Sequence, residues 1–373
     1  GQSSGGGERP PLRGEGGGGS GFGGSVPRRP SPVARQAPAA PTPREGRSRL
    51  VLAGSAAGFA LAGAFAAALS PSWLLALGRL GALALYAAMP DLAAALRDNA
   101  RRILGPGSSR PARGALARGV LASFARFALE VVLSSRRPQE RVECPGAKEH
   151  FERARAAGKG IVCATLHMGN YEVGPVFLAG LERARATADR DRDDARATPD
   201  KVRPLAILYS GDPVPSFERA RSRFRGVPGL EEIAIDRTPF FGVRVLSILR
   251  QGGLVLLAGD IGDPKLEMGE LARVPFFGEP APFPIWPARL SIASGAPILP
   301  SFCVRAGGGY RLEVEPPIFP GAFEDPRELL ARLVAVFEEK VRRYPDQWLV
   351  IHRYWRDPSG YRFKGPSQPV ARP

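Results

Sequence analysis

The sequence predicts an α/β fold, a mixed and largely parallel sheet flanked by helices, with membrane-associated helices before it. Two observations support this prediction. From residue 161 onward, short apolar runs alternate with helix-like segments, as in strands joined by crossover helices. Before them, residues 50–90 contain a single charged residue, Arg79. The 373 residues are enough for one large domain or two ordinary ones.

Residues 1–46 are predicted to form a disordered tail. They are rich in Gly, Pro and Arg, and Phe22 is their one aromatic residue. A segment of this composition cannot bury enough apolar surface to offset the entropy of ordering its backbone. A secretory signal, which places a short apolar core near the start of a chain, does not fit this composition.

Residues 47–96 are predicted to form a membrane-anchoring helical segment. Residues 50–69 carry no charge, and twenty helical residues cover a hydrocarbon layer of about 30 Å. A second apolar stretch, residues 73–90, contains Arg79 and fits a helix that lies in the interface or re-enters the bilayer. The alternative is a pair of buried helices in a soluble protein.

The positive charge is concentrated beside this apolar segment. Of a net +16, residues 1–49 contribute eight Arg against three Glu, and residues 97–141 contribute ten Arg against three acidic residues. Basic residues next to a membrane segment favour an anionic lipid surface on the cytoplasmic face. Nucleic-acid binding is not expected, because no aromatic-interleaved basic motif is present. Three scattered Cys and three His predict reduced thiols and no metal site.

Residues 97–357 are predicted to form the globular domain, followed by a tail at 358–373. The first element is a helix over 97–134, where apolar residues recur at helical spacing. Apolar runs of three to eight residues then predict strands at 161–166, 205–209, 233–235, 254–258, 297–304 and 310–314. Helices are predicted between and after them, at 171–181, 217–224, 241–250, 285–294 and 324–343. The charged insertion 183–202 interrupts this alternation and is predicted to be a solvated loop.

The segment from Leu166 to Gly174 is the strongest candidate for a reactive site. His167 follows a buried strand, the position at which α/β folds present functional groups. Glu172 is predicted to lie about a turn into the next helix, from which its carboxylate reaches the ring and fixes the tautomer. Gly169 allows a sharp turn and Asn170 suits a helix cap. The alternative is a structural His beside a helical Glu.

The His-x4-Glu spacing after a strand, with its Gly-Asn-Tyr filling, resembles the lipid A biosynthesis acyltransferase family within the lysophospholipid acyltransferase superfamily. Further segments resemble family motifs in the same order along residues 50–357: RSRFRG at 221–226, LRQGG at 249–253 followed by Asp260, VPFFGEP at 274–280 and PDQW at 345–348. The resemblance implies a glycerolipid acyltransferase-like fold on the cytoplasmic face of the inner membrane.

The resemblance also implies residue roles. His167 would act as general base with Glu172 as its partner, and Arg221 or Arg223 would stabilise the oxyanion or bind phosphates. Asp260 matches a carboxylate of the active-site cleft; its alternative is a helix cap or a structural ion pair. A further set is expected to shape the acyl groove or the core: Asn170, Phe276, Phe277 and Gly278.

The expected reaction is transfer of a fatty acyl chain from a thioester of acyl carrier protein or coenzyme A to a hydroxyl of lipid A precursor or a related glycolipid, in lipopolysaccharide or glycolipid synthesis. The resemblance implies no cofactor. The alternatives are an acyltransferase for a lysophospholipid or another membrane lipid, and a catalytically silent membrane scaffold. An esterase is disfavoured, because no Gly-x-Ser-x-Gly elbow stands between a predicted strand and helix.

Overall fold

The computed structural model describes residues 70–133, 142–192, 203–262 and 270–356. The predicted tails at 1–46 and 358–373, the apolar stretch 50–69 and residues 193–202 of the insertion lie outside these ranges. Within them, three helices come first: α1 (Pro71–Ala88), α2 (Pro90–Leu104) and α3 (Arg110–Leu133). Helices α1 and α2 both pack against α3.

The predicted single helix over 97–134 is wrong, because two helices cover this region. Helix α2 ends at Gly105, which adopts φ 86°, and Pro106 follows. A left-handed Gly ends a helix readily, and Pro cannot donate the hydrogen bond that would continue it. None of the described helices alone has the length and apolarity to cross a bilayer; residues 72–88 and 90–104 meet both criteria as a pair bent by 100°.

A seven-stranded sheet forms the centre of the fold. Its strands are β1 (Val142–Glu143), β2 (Ile161–Thr165), β3 (Leu205–Tyr209), β4 (Leu230–Ala234), β5 (Leu254–Ala258), β8 (Ile298–Ala306) and β9 (Gly309–Val314). The spatial order is β1-β9-β8-β2-β5-β3-β4. Five strands from β8 to β4 are parallel, and β9 runs antiparallel to β8. The predicted mixed, largely parallel sheet is confirmed.

Helices cover both faces of the sheet. They are α4 (Ala147–Arg155), α5 (Val173–Arg192), α6 (Pro215–Arg225), α7 (Phe241–Arg250), α8 (Trp286–Ser294) and α9 (Pro326–Arg343). Strands β2 and β5 read as unbroken apolar runs because both faces are buried. Helix α9 begins at the cap residue Asp325, whose carboxylate accepts a hydrogen bond from the Arg327 amide at 2.8 Å.

Strand β1 and helix α4 have no counterpart in the sequence prediction, and two further elements differ from it. Helix α5 continues to Arg192, so the first half of the predicted loop 183–202 is helical. Glu182 and Ala186 are buried on this extension, which shows that the helix packs against the domain there. The sequence does not predict the hairpin of β6 (Leu271–Phe276) and β7 (Glu279–Pro284). Its four prolines interrupt the alternation of apolar and polar residues that is typical of a strand.

Candidate active site

His167 and Asp260 meet at the carboxyl edge of the sheet. Strands β2 and β5 are parallel neighbours in which Thr165 is opposite Ala258. Each reactive side chain therefore lies two residues beyond the last pair of its own strand. The His167 Nδ1 atom is 2.8 Å from the Asp260 Oδ1 atom, and the His167 backbone N–H donates to Oδ2 at 3.1 Å.

Asp260 is held as an anion. Its buried position alone would raise its pKa, but the His167 ring and hydrogen bonds from His167 and Trp348 outweigh burial and lower the pKa below the usual value. The Trp348 Nε1–H donates to Oδ2 at 2.9 Å. An ionised carboxylate accepts hydrogen bonds but donates none, so His167 donates through Nδ1, and in the neutral imidazole this leaves the lone pair on Nε2.

The Asp260 backbone is fixed as well. The Tyr354 hydroxyl donates to the Asp260 carbonyl at 2.8 Å and lies 3.2 Å from the Pro282 carbonyl. Burial, followed by the charge of Asp260, raises the pKa of Tyr354 well above its ordinary value. Tyr354 therefore stays a neutral donor, and the C-terminal segment holds Asp260 at its carboxylate through Trp348 and at its backbone through Tyr354.

The predicted contact between Glu172 and the ring of His167 is wrong. Glu172 precedes helix α5, which begins at Val173, and its side chain is fully buried against two arginines of α6. Arg221 Nε donates to Oε1 at 2.8 Å, while Arg225 donates through Nε to Oε2 at 2.5 Å and through Nη2 to Oε1 at 2.6 Å. The Asp260 carboxylate, and not that of Glu172, forms the hydrogen bond with the His167 ring.

These arginines set the charge state of Glu172. Burial would raise its pKa, but the charges of Arg221 and Arg225 and their hydrogen bonds lower it to about 2. Burial would lower the pKa of both arginines, but the Glu172 charge raises them instead. The Arg225 guanidinium also stacks on Tyr209 at 4.4 Å from the ring centre. The cluster is thus a buried, fully ionised ion pair beneath the site.

The two predicted arginines are in different places. Arg221 is buried and lines the cavity beside His167, whereas Arg223 is exposed and is not part of that wall. Arg225, which the motif did not single out, is buried and lines the cavity. The signal for it is the spacing of Arg221 and Arg225, because residues four apart lie on one face of a helix.

Asn170 secures the turn after His167 instead of capping a helix with its side chain. Its Nδ2 donates to Glu130 Oε2 at 3.1 Å and to the Tyr310 hydroxyl at 3.2 Å. Its backbone N–H donates to Cys303 O, and the Gly169 N–H donates to Gln347 O. Gly169 adopts φ 61°, and a Cβ atom there would lie 2.1 Å from the Cys303 carbonyl oxygen. The turn therefore requires glycine.

A cavity of about 280 Å³ opens beside His167. It extends between helix α5 and the sheet, where its wall is mainly apolar or weakly polar: Cys163, Gly174, Leu178, Leu256, Cys303 and Leu312. Tyr171 also lines it and places its ring edge-on to His167, with 4.9 Å between ring centres. This arrangement can hold an apolar chain with its reactive end at the imidazole.

The VPFFG residues lie away from this cavity. Phe276 is fully buried in an aromatic cluster with Phe283, Trp348 and Trp355. Phe277 adopts φ 53° in the turn of the β6–β7 hairpin, where its N–H donates to Glu338 at 2.6 Å. Gly278 completes that turn at φ 77°. Across the described part of the chain, no three metal-ligating side chains come together.

Comparison with known proteins shows that the chain is similar to lipid acyltransferases. A phosphatidylinositol mannoside acyltransferase of Mycobacterium tuberculosis is 26% identical over 270 residues, which cover 70% of this chain and 76% of the relative. Its counterpart in Mycolicibacterium smegmatis is 26% identical over 288 residues, 75% of this chain and 85% of the relative.

A solved 1-acyl-sn-glycerophosphate acyltransferase from Thermotoga maritima aligns with 74% of this chain and 97% of its own, at a TM-score of 0.29 and 11% identity. Residues 48–196 and 240–357 match the family described as bacterial lipid A biosynthesis acyltransferase. His167, Glu172 and Asp260 all lie within the matched ranges. The chain belongs to this acyltransferase family.

Proposed function

We propose that this acyltransferase moves a fatty acyl chain from a thioester to a hydroxyl group of a membrane glycolipid, with His167 as general base and Asp260 as the carboxylate that orients it. The observation that carries the proposal is the His167–Asp260 hydrogen bond at the mouth of an apolar cavity. Asp260 takes the role first expected of Glu172, because it alone of the two bonds the imidazole in the described structure.

The reaction would proceed by proton transfer and acyl transfer. His167 Nε2 takes the proton of the acceptor hydroxyl as the oxygen attacks the thioester carbonyl. The tetrahedral intermediate then expels the thiolate, which receives the proton back from His167. The new C–O bond replaces the C–S bond, and no redox step or metal is needed.

In this proposal Arg221 stabilises the negative charge that develops on the carbonyl oxygen. Its Nε bonds Glu172 and its Nη1 bonds Glu218, so among the described contacts its Nη2 group is not used. A preorganised cationic donor in a buried site lowers the energy of an oxyanion more than it does in water. Glu172 would act by fixing this arginine rather than by touching the imidazole.

The cavity supports a fatty acyl donor, and the relatives support a glycolipid acceptor. An apolar slot beside the imidazole suits an acyl chain, whereas the carrier of the thioester, acyl carrier protein or coenzyme A, would remain outside. The relatives are named for acylating phosphatidylinositol mannoside, and the family for lipid A; both names denote sugar-bearing lipids. A lysophospholipid acceptor and a catalytically silent scaffold remain the alternatives to be tested.

Membrane association is part of the proposal. Helix α1 exposes large apolar side chains to solvent: Trp73 at 66%, Leu77 at 50% and Leu80 at 62%. Residues three and four apart lie on one helix face, so these three form a single apolar stripe. Such a stripe suits the interface of the cytoplasmic face of the inner membrane, with anionic lipid around it.

Acyl transfer by the purified full chain would test the reaction. Acyl carrier protein and coenzyme A thioesters would be offered with a bacterial lipid extract, and products would be identified by mass spectrometry. We expect a lipid heavier by one acyl group, lost in His167→Ala. A folded wild-type protein without product for any donor would favour the scaffold, and free fatty acid as the sole product would indicate a hydrolase.

A further inference from the structure

A second cavity, of about 790 Å³, lies among the N-terminal helices, far along the chain from His167. Helices α1, α2 and the start of α3 form its wall, and Arg353 joins them from the C-terminal segment. Six arginines line it: Arg97, Arg101, Arg110, Arg113, Arg118 and Arg353. Asp98 is its one acidic lining residue. We refer to it as the arginine cavity.

The acidic groups near the arginine cavity are already engaged. Asp98 Oδ2 is 2.6 Å from Arg102 Nη1. Glu279, from the β6–β7 hairpin, bonds Arg102 at 2.6 Å and Arg101 at 3.1 Å. These two carboxylates therefore neutralise Arg101 and Arg102, and among the residues that the structure describes the other arginines of the cavity have no acidic partner.

Four cavity arginines, Arg97, Arg110, Arg118 and Arg353, form no ion pair with any carboxylate in the described ranges of the chain. Two of them contact the same aromatic ring: the Cζ atoms of Arg97 and Arg118 lie 5.8 and 6.0 Å from the centre of the Tyr86 ring. Like charges gathered in one cavity repel one another, and a bound anion would relieve that repulsion.

The turn between α2 and α3 also orients the guanidinium group of Arg113. Arg113 donates through Nε to the Ser108 hydroxyl at 2.8 Å and through Nη2 to the Pro106 carbonyl at 2.7 Å. These bonds are to neutral groups, so they fix the guanidinium without cancelling its charge. Planar guanidinium forks match the oxygens of a phosphate, and a phosphate is therefore the anion class that this wall suits.

The position of the cavity on helix α1 identifies the source of the phosphate. Tyr86, in its wall, lies on the same helix as the exposed stripe of Trp73, Leu77 and Leu80. We propose that the arginine cavity binds the phosphate headgroup of an anionic phospholipid whose acyl chains lie against helix α1. This inference rests on the proposed membrane contact of α1 and adds to it a discrete headgroup site.

Binding to a soluble lipid would test the site independently of the membrane contact. The full chain in detergent would be titrated with short-chain phosphatidylglycerol below its micelle concentration, by calorimetry. The pocket variant Arg97→Gln/Arg110→Gln/Arg118→Gln removes three exposed arginines of the wall. The matched control Arg250→Gln/Arg327→Gln/Arg332→Gln removes three exposed arginines on helices α7 and α9.

We expect saturable binding that weakens on the order of 100-fold in the pocket variant and stays unchanged in the control, as three cations near an anionic headgroup predict. The same difference should appear on vesicles of phosphatidylcholine mixed with phosphatidylglycerol, and disappear on phosphatidylcholine alone. Equal losses in both variants would overturn the site in favour of a diffuse basic surface.

Two further results would overturn the assignment. Inorganic pyrophosphate that binds the wild-type cavity, with no binding of the short-chain lipid, would show that the site takes a soluble phosphate. Absence of binding for both probes would show that no phosphate site exists. The variant Leu77→Glu/Leu80→Glu should keep the soluble lipid while losing vesicles, which separates a failure of the headgroup site from a failure of the α1 contact.

Discussion

At the scale of single residues, Asp260 and Glu172 are two buried carboxylates with different partners. Asp260 bonds an imidazole ring, whereas Glu172 bonds two guanidinium groups. A carboxylate on a histidine governs the tautomer and hence proton transfer. A carboxylate between two arginines governs charge balance and packing instead. The two residues should therefore fail in different ways when they are changed.

Replacing Asp260 by Asn should reduce kcat by about 10³-fold or more, with little change in KM, because an amide stabilises the wrong tautomer of the base. Steady-state acyl transfer with a saturating thioester would measure it. Unfolding of the variant by urea should change much less than its rate. A kcat within a few fold of the wild type would remove Asp260 from the mechanism.

Replacing Glu172 by Gln should cost stability and, by loosening Arg221, part of the rate. Its pKa is about 2 in the folded chain against an ordinary 4.5, so its contribution is full above pH 4.5 and is lost as the pH falls towards 2. The difference corresponds to roughly 3 kcal/mol at neutral pH. The urea midpoint of the wild type should fall across this acidic window more steeply than that of Glu172→Gln.

The exposed residue Glu339 supplies the matched control for this measurement. Glu339→Gln should show the wild-type dependence of the urea midpoint on pH. If Glu172→Gln also retained the full wild-type slope, the ion pair with Arg221 and Arg225 would not be the source of the acid sensitivity.

At the scale of elements, the turn after β2 that carries His167 is held by parts of the chain that are remote in sequence. The Leu349 N–H donates to the His167 carbonyl at 2.7 Å, and Met168 forms an isolated bridge with Trp348. Asn170 reaches Glu130 on helix α3, which in turn pairs with Arg305 at 3.0 Å. The imidazole is thus positioned by the N-terminal helices and the C-terminal segment as well as by its own strand.

Gly169→Ala should unfold this turn locally. The new methyl group would meet the Cys303 carbonyl oxygen at 2.1 Å on a left-handed backbone, so we expect a loss of about 2–4 kcal/mol in stability together with a large loss of kcat. Thermal unfolding and turnover would be measured together. Gly180→Ala, on helix α5 with nothing within 4 Å, should be neutral or stabilising by about 0.5–1 kcal/mol.

Gly174 offers a way to shorten the apolar cavity. It lies in the first turn of α5, lines the cavity, and has the Cys303 Cβ atom at 3.8 Å as its nearest neighbour. Gly174→Leu should therefore fold and fill the slot, so that long acyl donors lose at least about tenfold in kcat/KM while short donors are retained. Competition between donors of different length would show it, and Gly180→Leu on the same helix is the control.

Secondary-structure elements that have clear local signals at both ends can be predicted accurately from the sequence. Strands β3 and β5 and helix α7 were predicted with their exact bounds, because apolar runs there end at Pro, Gly or charged residues. The order of strands in the sheet is not written in such local patterns. The family resemblance assigns Asp260 to the active-site cleft. Its hydrogen bond to His167 could not be predicted, because that bond depends on β2 and β5 being neighbours in the sheet.

The errors at the site have the same origin. A spacing of five residues after a strand places Glu172 near His167 in sequence, but the direction of its side chain depends on where helix α5 begins and on the arginines of α6. Arg225 was missed from the sequence because the motif contains three arginines and does not show which of them are buried. Burial, which separates them, is a property of the packed helix.

At the scale of the whole molecule, the apolar stripe of α1 should bind the chain to lipid. Leu77→Glu/Leu80→Glu should weaken binding to phosphatidylcholine vesicles on the order of 100-fold, since each buried leucine contributes about 1.5–3 kcal/mol. Vesicle sedimentation would measure it. Leu181→Glu/Val243→Glu changes two exposed apolar residues elsewhere and should bind as the wild type does. Equal binding by both variants would remove α1 from the contact.

From the hydrogen bond between Trp348 and Asp260 we also expect that the chain becomes active only late in its synthesis. Asp260 is 93 residues from His167, and Trp348 follows 88 residues later. While Trp348 is still inside the ribosome, the nascent chain already contains His167 and Asp260. It lacks the indole N–H that orients the Asp260 carboxylate. Long-range contacts of this kind form late and slowly. In refolding from denaturant, acyl transfer should accordingly return with the final phase that docks the C-terminal segment, after the strands have regained their secondary structure.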